Sequence, residues 1–240
     1  MSKHILGLSG RKHAGKDTLV TFLQANVREL AGERFSIVRS GMSDELKRVC
    51  VRLLGLRPEQ VYGTEEEKNT PTHLRWEDLP QYPAMQFEAN RTNLLRHGLI
   101  RAQWPADQEK PPTGFMTGRQ VMQVWGTEVF RRAYPDCHVH ATLAALAEST
   151  ADIAVVADVR FPNEVRALRQ AGGKVIRLTR NPFPDDSHPS ETSLDPDRFP
   201  WEEFDYVLDN AHLTRGEQTQ VLVRLLHDWG WIPRQRTQVA

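Results

Sequence analysis

At 240 residues, with 31 Lys plus Arg against 31 Asp plus Glu, the chain is long enough to bury a sizeable core and carries no net charge. That balance removes the electrostatic case for a nucleic-acid partner, and no stretch approaches the roughly 20 apolar residues that a membrane span needs. Cys50 and Cys137 fall in helix-patterned stretches and read as reduced core or near-core residues of a cytoplasmic protein. The chain enters its first strand without a charged lead and long apolar run, so no signal peptide is expected.

Residues 5–9, Ile-Leu-Gly-Leu-Ser, form a short apolar run that reads as a buried strand. Gly10 and Gly15 bracket a turn, and Lys16 opens a helix with Leu19, Val20, Leu23, Val27 and Leu30 on one face. Ala31-Gly32-Glu33 ends it, and residues 35–40 read as a second strand. Ser43 and Asp44 can cap a helix carrying Leu46, Val49, Cys50, Leu53 and Leu54 at helical spacing. Strand, helix, strand, helix at this pitch predicts a parallel sheet with right-handed crossovers.

From about 58 to 116 the pattern loosens. Pro71, Pro80, Pro83, Pro105, Pro111 and Pro112 punctuate it, with Trp76 and Trp104 among charges. The stretch reads either as a surface excursion or as a substrate-side insertion. Thr117-Gly118-Arg119-Gln120 then opens a helix with Val121, Met122, Val124, Trp125, Val129 and Phe130 as apolar positions, and a further helix runs from Asp136 to about 149. Residues 152–157, Asp-Ile-Ala-Val-Val-Ala, form the clearest central strand and deliver Asp158 at its C-terminal end, beside Arg160. A helix over 162–171 stops at Gly172-Gly173. A strand over 174–179 feeds a polar, proline-rich loop, a last strand covers 204–209, and a last helix runs from Thr214 to Trp229 before Gly230.

Gly10, four residues, Gly15 and Lys16 give the spacing of a phosphate-cradling loop. Glycines let the backbone bend so that successive N–H groups face phosphate oxygens, the helix N-terminus adds its positive dipole end, and Lys16 reaches the outer phosphates. The expected contacts to a nucleoside triphosphate are Gly10, Arg11, His13, Ala14, Gly15, Lys16, Asp17 and Thr18. The usual pattern places Ser or Thr directly after the lysine. Here Asp17 precedes Thr18, and either could serve Mg²⁺, Thr18 directly or Asp17 through a water. Asp158 lies where open parallel sheets bind ligands and reads as a magnesium residue or as the cap of the following helix. Arg119, Gln120 and Gln123 suit contacts to a phosphate and a base edge, or a plain solvated helix start. Neither GTPase base-reading and switch motifs nor the longer signatures of motor and transporter ATPases are present; what remains favours a small-molecule kinase, working by positioning and charge neutralisation, over a passive nucleotide sensor.

Four segments in this order, residues 9–18, 118–128, 158–164 and 188–191, together resemble the phage-type deoxynucleoside monophosphate kinases. One departure is His138, where that family often carries tryptophan. The resemblance implies an α/β, three-layer P-loop kinase fold with a central parallel sheet flanked by helices. It implies a single domain over 1–240 with a substrate-binding insertion at about 58–116 and a lid loop at about 180–200. It further implies Mg²⁺-dependent transfer of the ATP γ-phosphate to a 5′-deoxynucleoside monophosphate. Position by position, Lys16, Asp158, Arg160 and Arg180 correspond to the catalytic centre, Thr18, Asp17 and Asp158 to the metal side, and His188 and Glu191 to the lid. Arg119, Gln120 and Gln123 match the acceptor side, and Arg75 and Trp76 are candidates there as a phosphate clamp and a stacking surface. ATP and a deoxynucleotide are the expected partners, in the cytoplasm (the host's, for a phage protein), and a homodimer is left open. The alternatives are a kinase of another phosphorylated acceptor such as phosphomevalonate, and a nucleotide-gated sensor that does not turn over.

Overall fold

The computed structural model describes residues 4–79, 113–184 and 189–233. His188 and Trp104, singled out from the sequence, lie outside these. The strands are β1 His4–Ser9, β2 Ile37–Ser40, β3 Pro71–Arg75, β4 Phe115–Thr117, β5 Ile153–Val159, β6 Lys174–Leu178 and β7 Tyr206–Leu208. The helices are α1 Lys16–Ala31, α2 Asp44–Arg52, α3 Pro58–Tyr62, α4 Glu65–Lys68, α5 Gly118–Gln123, α6 Cys137–Glu148, α7 Pro162–Gln170, α8 Pro189–Thr192 and α9 Arg215–Asp228. Two compact units divide the chain, one formed by 1–42 with 139–240 and the other by 43–138.

The first unit is built on a five-stranded sheet in the order β2-β5-β1-β6-β7, with every pairing parallel. Leu6 of β1 lies opposite Val155 of β5, and Leu8 opposite Ile176 of β6. Strands covered on both faces must be apolar throughout, and β1 and β5 meet that demand with nearly unbroken buried runs. Alternate residues then sort between two layers. Leu6, Leu8, Ile153, Val155, Ile176 and Leu178 pack with Leu19, Val20 and Leu23 of α1 and with Leu222, Leu225 and Leu226 of α9. Ile5, Ala154, Val156 and Val175 pack on the other face with Val139 and Leu146 of α6 and Val165 and Leu168 of α7. Truncating one of these core leucines to alanine would cost about 2–5 kcal/mol. The result is the expected α/β architecture, a parallel sheet between helical layers. The outer strands are shorter than the sequence suggested: β2 starts at Ile37 and β7 spans Tyr206–Leu208.

The second unit takes in the described part of the 58–116 stretch together with the helices on both sides. Leu46, Cys50, Leu56, Val61, Met116, Val121 and Val124 form its core. Its prolines are placed where they do least harm: Pro58 in the first turn of α3, and Pro71 as the first residue of β3 in an antiparallel pair with β4. Ser43 precedes α2 without a side-chain cap bond. The helix read over 117–130 starts as α5 and continues as a π-helical stretch, Val124–Arg131. Cys50 is buried, and burial pushes its thiol up to about 11, so it is inert at neutral pH. Among the described residues no helix is long and apolar enough to cross a membrane.

Candidate active site

Chain leaving the C-terminal end of β1 turns through Gly10–Gly15 and enters α1 at Lys16. Gly15 holds φ at +105°, a left-handed value that a side chain rarely tolerates, and a Cβ there would stand 2.8 Å from Gln218 Oε1. The turn therefore needs glycine for two independent reasons. His13 also takes a positive φ, 57°, and its ring is tilted against Phe183 at 5.5 Å between centroids.

Lys16, at the first position of α1, is only 7% exposed, and its Nζ donates to the carbonyls of Gly10 and Arg11, both at 2.7 Å. Burial, reinforced by the nearby Arg160, drops its ammonium from 10.5 to about 7, and Glu191 and Asp17 only partly offset this. Asp17 points away from the loop: its carboxylate is 80% exposed and ion-paired with Arg39 at 2.9 Å. Thr18 is half-buried.

A cluster of cations gathers at the carboxyl ends of β1, β5 and β6. Arg160, just past β5, donates to Glu191 Oε1 at 2.5 Å. Glu191 in α8 uses its other oxygen to accept the loop N–H of Lys12 at 2.6 Å. Arg11 donates to both oxygens of Asp195. Arg177, on β6 and 4% exposed, bonds Asp195 and Ser9 Oγ at 3.3 and 3.2 Å, while its buried Nε meets no partner among the described residues. Burial lowers the Arg177 guanidinium to about 10, against the pull of Asp195, so it stays charged. Three arginines and the Lys16 amine thus surround two carboxylates, a surplus of positive charge that suits polyanionic phosphate.

Asp158 lies in β5, three residues before the α7 N-cap Phe161. Its Oδ1 accepts the N–H of Met42 at 2.7 Å, and the cap is supplied by Glu164, 1% exposed, which accepts from the N–H groups of Arg160 and Phe161 at 2.7 and 3.1 Å. This sets the backbone from which the Arg160 side chain departs. Arg180 is stitched to the backbone: its guanidinium donates to the carbonyls of Asn210 and Leu213 at 2.8 and 2.7 Å. Asn210, fully buried, sits between that arginine and the glycine loop.

The expected acceptor residues belong to the second unit. Gln120 closes a capping box at the start of α5, with its Oε1 accepting from Thr117 N at 2.9 Å and its N–H donating to Thr117 Oγ1. Arg119 pairs with Glu65 at 2.5 Å, and Gln123 is exposed. Arg75 lies over the Phe115 ring at 4.9 Å and pairs with Glu77, while Trp76 packs partly buried against the unit's core. Sequence reasoning missed Arg177, Asp195, Glu164 and Asn210. Glu164 alone left a local signal, an acid three residues after the helix-entry position.

An open parallel sheet between helical layers, with a glycine-bounded turn leading from its central strand into a helix, is the three-layer architecture of P-loop-type kinases. No family model matches the chain. A protein of Acanthamoeba polyphaga mimivirus, provisionally named a deoxynucleotide monophosphate kinase, is 30% identical over 191 residues, covering 79% of this chain and 81% of that protein. The chain belongs to that deoxynucleotide monophosphate kinase family.

Proposed function

We propose that the protein transfers the γ-phosphate of ATP to a 5′-deoxynucleoside monophosphate. A phosphate oxygen of the acceptor forms a bond to the γ-phosphorus as the bond to the β-bridging oxygen breaks, giving ADP and a deoxynucleoside diphosphate. The observation that carries this reading is the convergence of Lys16, Arg11, Arg160 and Arg177 around the glycine loop. The loop N–H groups and the start of α1 bind the donor phosphates. Lys16 exchanges its two carbonyl partners for phosphate oxygens, and Arg11 and Arg160 neutralise charge that develops on the transferring group. Asp158 orients the metal side.

Magnesium in nucleotide sites keeps most of its waters and takes one or two protein oxygens. The residues that would hold it are Thr18, through its hydroxyl, and Asp158, through its carboxylate, both half-buried oxygen donors of the kind magnesium takes. Asp17, exposed and paired with Arg39, is the poorer choice. When bound, the ion screens the β- and γ-phosphate charge. On the acceptor side, Arg119 and Gln123 are assigned to the deoxynucleotide, with Arg75 and Trp76 as clamp and stacking surface, and Gln120 holds the helix start.

Replacing Lys16 by Ala tests the class. A kinase loses turnover by orders of magnitude, whereas a wild-type protein that binds ATP but releases no ADP with any acceptor would be a sensor. ADP release with phosphomevalonate and none with any deoxynucleotide would replace the proposed acceptor.

A further inference from the structure

Beneath the glycine loop lies a small relay of buried amides. Asn210 is fully buried, and its Nδ2 donates to the carbonyl of Ala14 at 2.7 Å and to Gln218 Oε1 at 2.9 Å. Its Oδ1 accepts the backbone N–H of Arg180 at 2.8 Å, and the Arg180 guanidinium returns to the carbonyls of Asn210 and Leu213. Gln218, 1% exposed on α9, donates in turn to Thr214 O at 3.3 Å. Every polar atom of the Asn210 amide group that could fix its orientation is engaged, so the group has one setting.

That setting has a consequence across one peptide bond. In a trans peptide the C=O and the following N–H point in opposite directions. Holding Ala14 O toward Asn210 therefore aims the Gly15 N–H away from it, and that N–H takes no acceptor among the described residues. The space behind Gly15 is filled by the relay itself, with Gln218 Oε1 at 2.8 Å and Asn210 Nδ2 at 3.5 Å from where a Cβ would stand. We infer that Asn210, oriented by Gln218 and tied down by Arg180, is a positioning residue that presets the Ala14–Gly15 peptide so that the Gly15 N–H is ready to donate to a nucleotide phosphate. Arg180 acts on the loop through this relay. The inference rests on the proposed phosphate role of the loop.

Preorganisation of this kind lowers the cost of binding without adding a contact. Loss of the Asn210 bond frees the peptide to rotate, and the Gly15 N–H must then be reoriented when nucleotide binds.

The test uses the full chain, labelled with ¹⁵N, and follows the Gly15 amide resonance and the Kd of Mg·ATP in wild type, Asn210→Ala and the milder Gln218→Ala. In wild type, Mg·ATP should move the Gly15 amide strongly downfield. In Asn210→Ala the free-state resonance should broaden or move, and Kd should rise by about tenfold, one lost neutral hydrogen bond. Gln218→Ala, which only loosens the amide, should fall between, at about threefold. Affinity for the deoxynucleotide should stay within about twofold in both, which a general loss of fold would not allow. A wild-type Gly15 amide that ignores Mg·ATP overturns the phosphate reading of the loop. A wild-type response that both variants reproduce with unchanged Kd overturns the inference while leaving that reading intact. Should Asn210→Ala not fold, Gln218→Ala carries the same decision.

Discussion

Lys16→Met offers a test of the loop that needs no substrate. Met keeps the length of the side chain and removes the charge. Lys16 titrates at about 7 in the folded chain, against 10.5 for an ordinary lysine. A folded pKa below the unfolded one means that the charged form is disfavoured in the fold. The destabilisation is therefore fully present below pH 7 and is relieved as pH rises from 7 toward 10.5. A gap of that size corresponds to a penalty on the order of 4 kcal/mol at pH 6, falling to about 1 kcal/mol at pH 9.5. Met also leaves the carbonyls of Gly10 and Arg11 without their donor, about 1–3 kcal/mol, but this loss is the same at every pH. The readable quantity is thus the difference in unfolding free energy between variant and wild type, measured by urea titration of the nucleotide-free protein from pH 6 to 9.5. It should move by about 3 kcal/mol in favour of the variant as pH falls. A difference that is flat with pH, or that moves the other way, would refute the account of a buried lysine held among cations.

Three further variants test neighbouring parts. Gly15→Ala forces a side chain into φ +105° and against Gln218 Oε1, so it should cost about 1–3 kcal/mol of stability and weaken Mg·ATP binding; unchanged urea midpoints and Kd would contradict the loop geometry. Glu191→Gln keeps an acceptor for Lys12 N while removing a negative charge from among Lys16 and Arg160, so Mg·ATP should bind about threefold more tightly, and weaker binding by calorimetry would count against a phosphate-binding cation cluster. Gln120→Ala should lose about 1 kcal/mol through the broken capping box while Gln120→Glu retains it, with acceptor KM within about twofold for the latter; a large KM change in Gln120→Glu would show that the side chain meets the nucleotide.

Local patterning made much of the first unit legible. The run from Ile5 to Ser9, the glycine-bounded turn and the Leu19–Val27 stripe specify β1, the loop and α1 almost residue by residue, because a doubly covered strand and an amphipathic helix have different periods. The β-branched run of β5 and the double glycine after α7 were equally plain. The strand order was not, since nothing within a strand names its neighbour. The π-helical stretch was hidden for a related reason: Val124, Trp125, Val129 and Phe130 look the same in sequence whether the turn is α or π. In the 58–116 stretch, prolines read as loop punctuation, yet Pro58 and Pro71 begin a helix and a strand.

The site was legible only where its residues sit at element ends. Lys16, Asp158 and Arg160 follow directly from strand and loop boundaries. Arg177 lies inside β6, where nothing in the strand's own pattern marks it as a site residue, but it is buried against Ser9 and Asp195. Arg11 and Asp195 are 184 positions apart, and Asn210 and Ala14 are 196 apart. Pairings at such separations are products of the fold and leave no local trace. Arg180 follows β6 as the sequence order requires, but only the positions of Asn210 and Leu213 reveal where its charge is tied.

The most direct test of the central claim is a coupled ADP-release assay with Mg·ATP against dAMP, dGMP, dCMP and dTMP, with the ribonucleotides and phosphomevalonate alongside. Turnover is expected with at least one deoxynucleoside monophosphate, little with ribonucleotides, and that turnover should fall by orders of magnitude in Lys16→Ala. No ADP release with any deoxynucleotide, from protein shown to bind ATP, would contradict that claim.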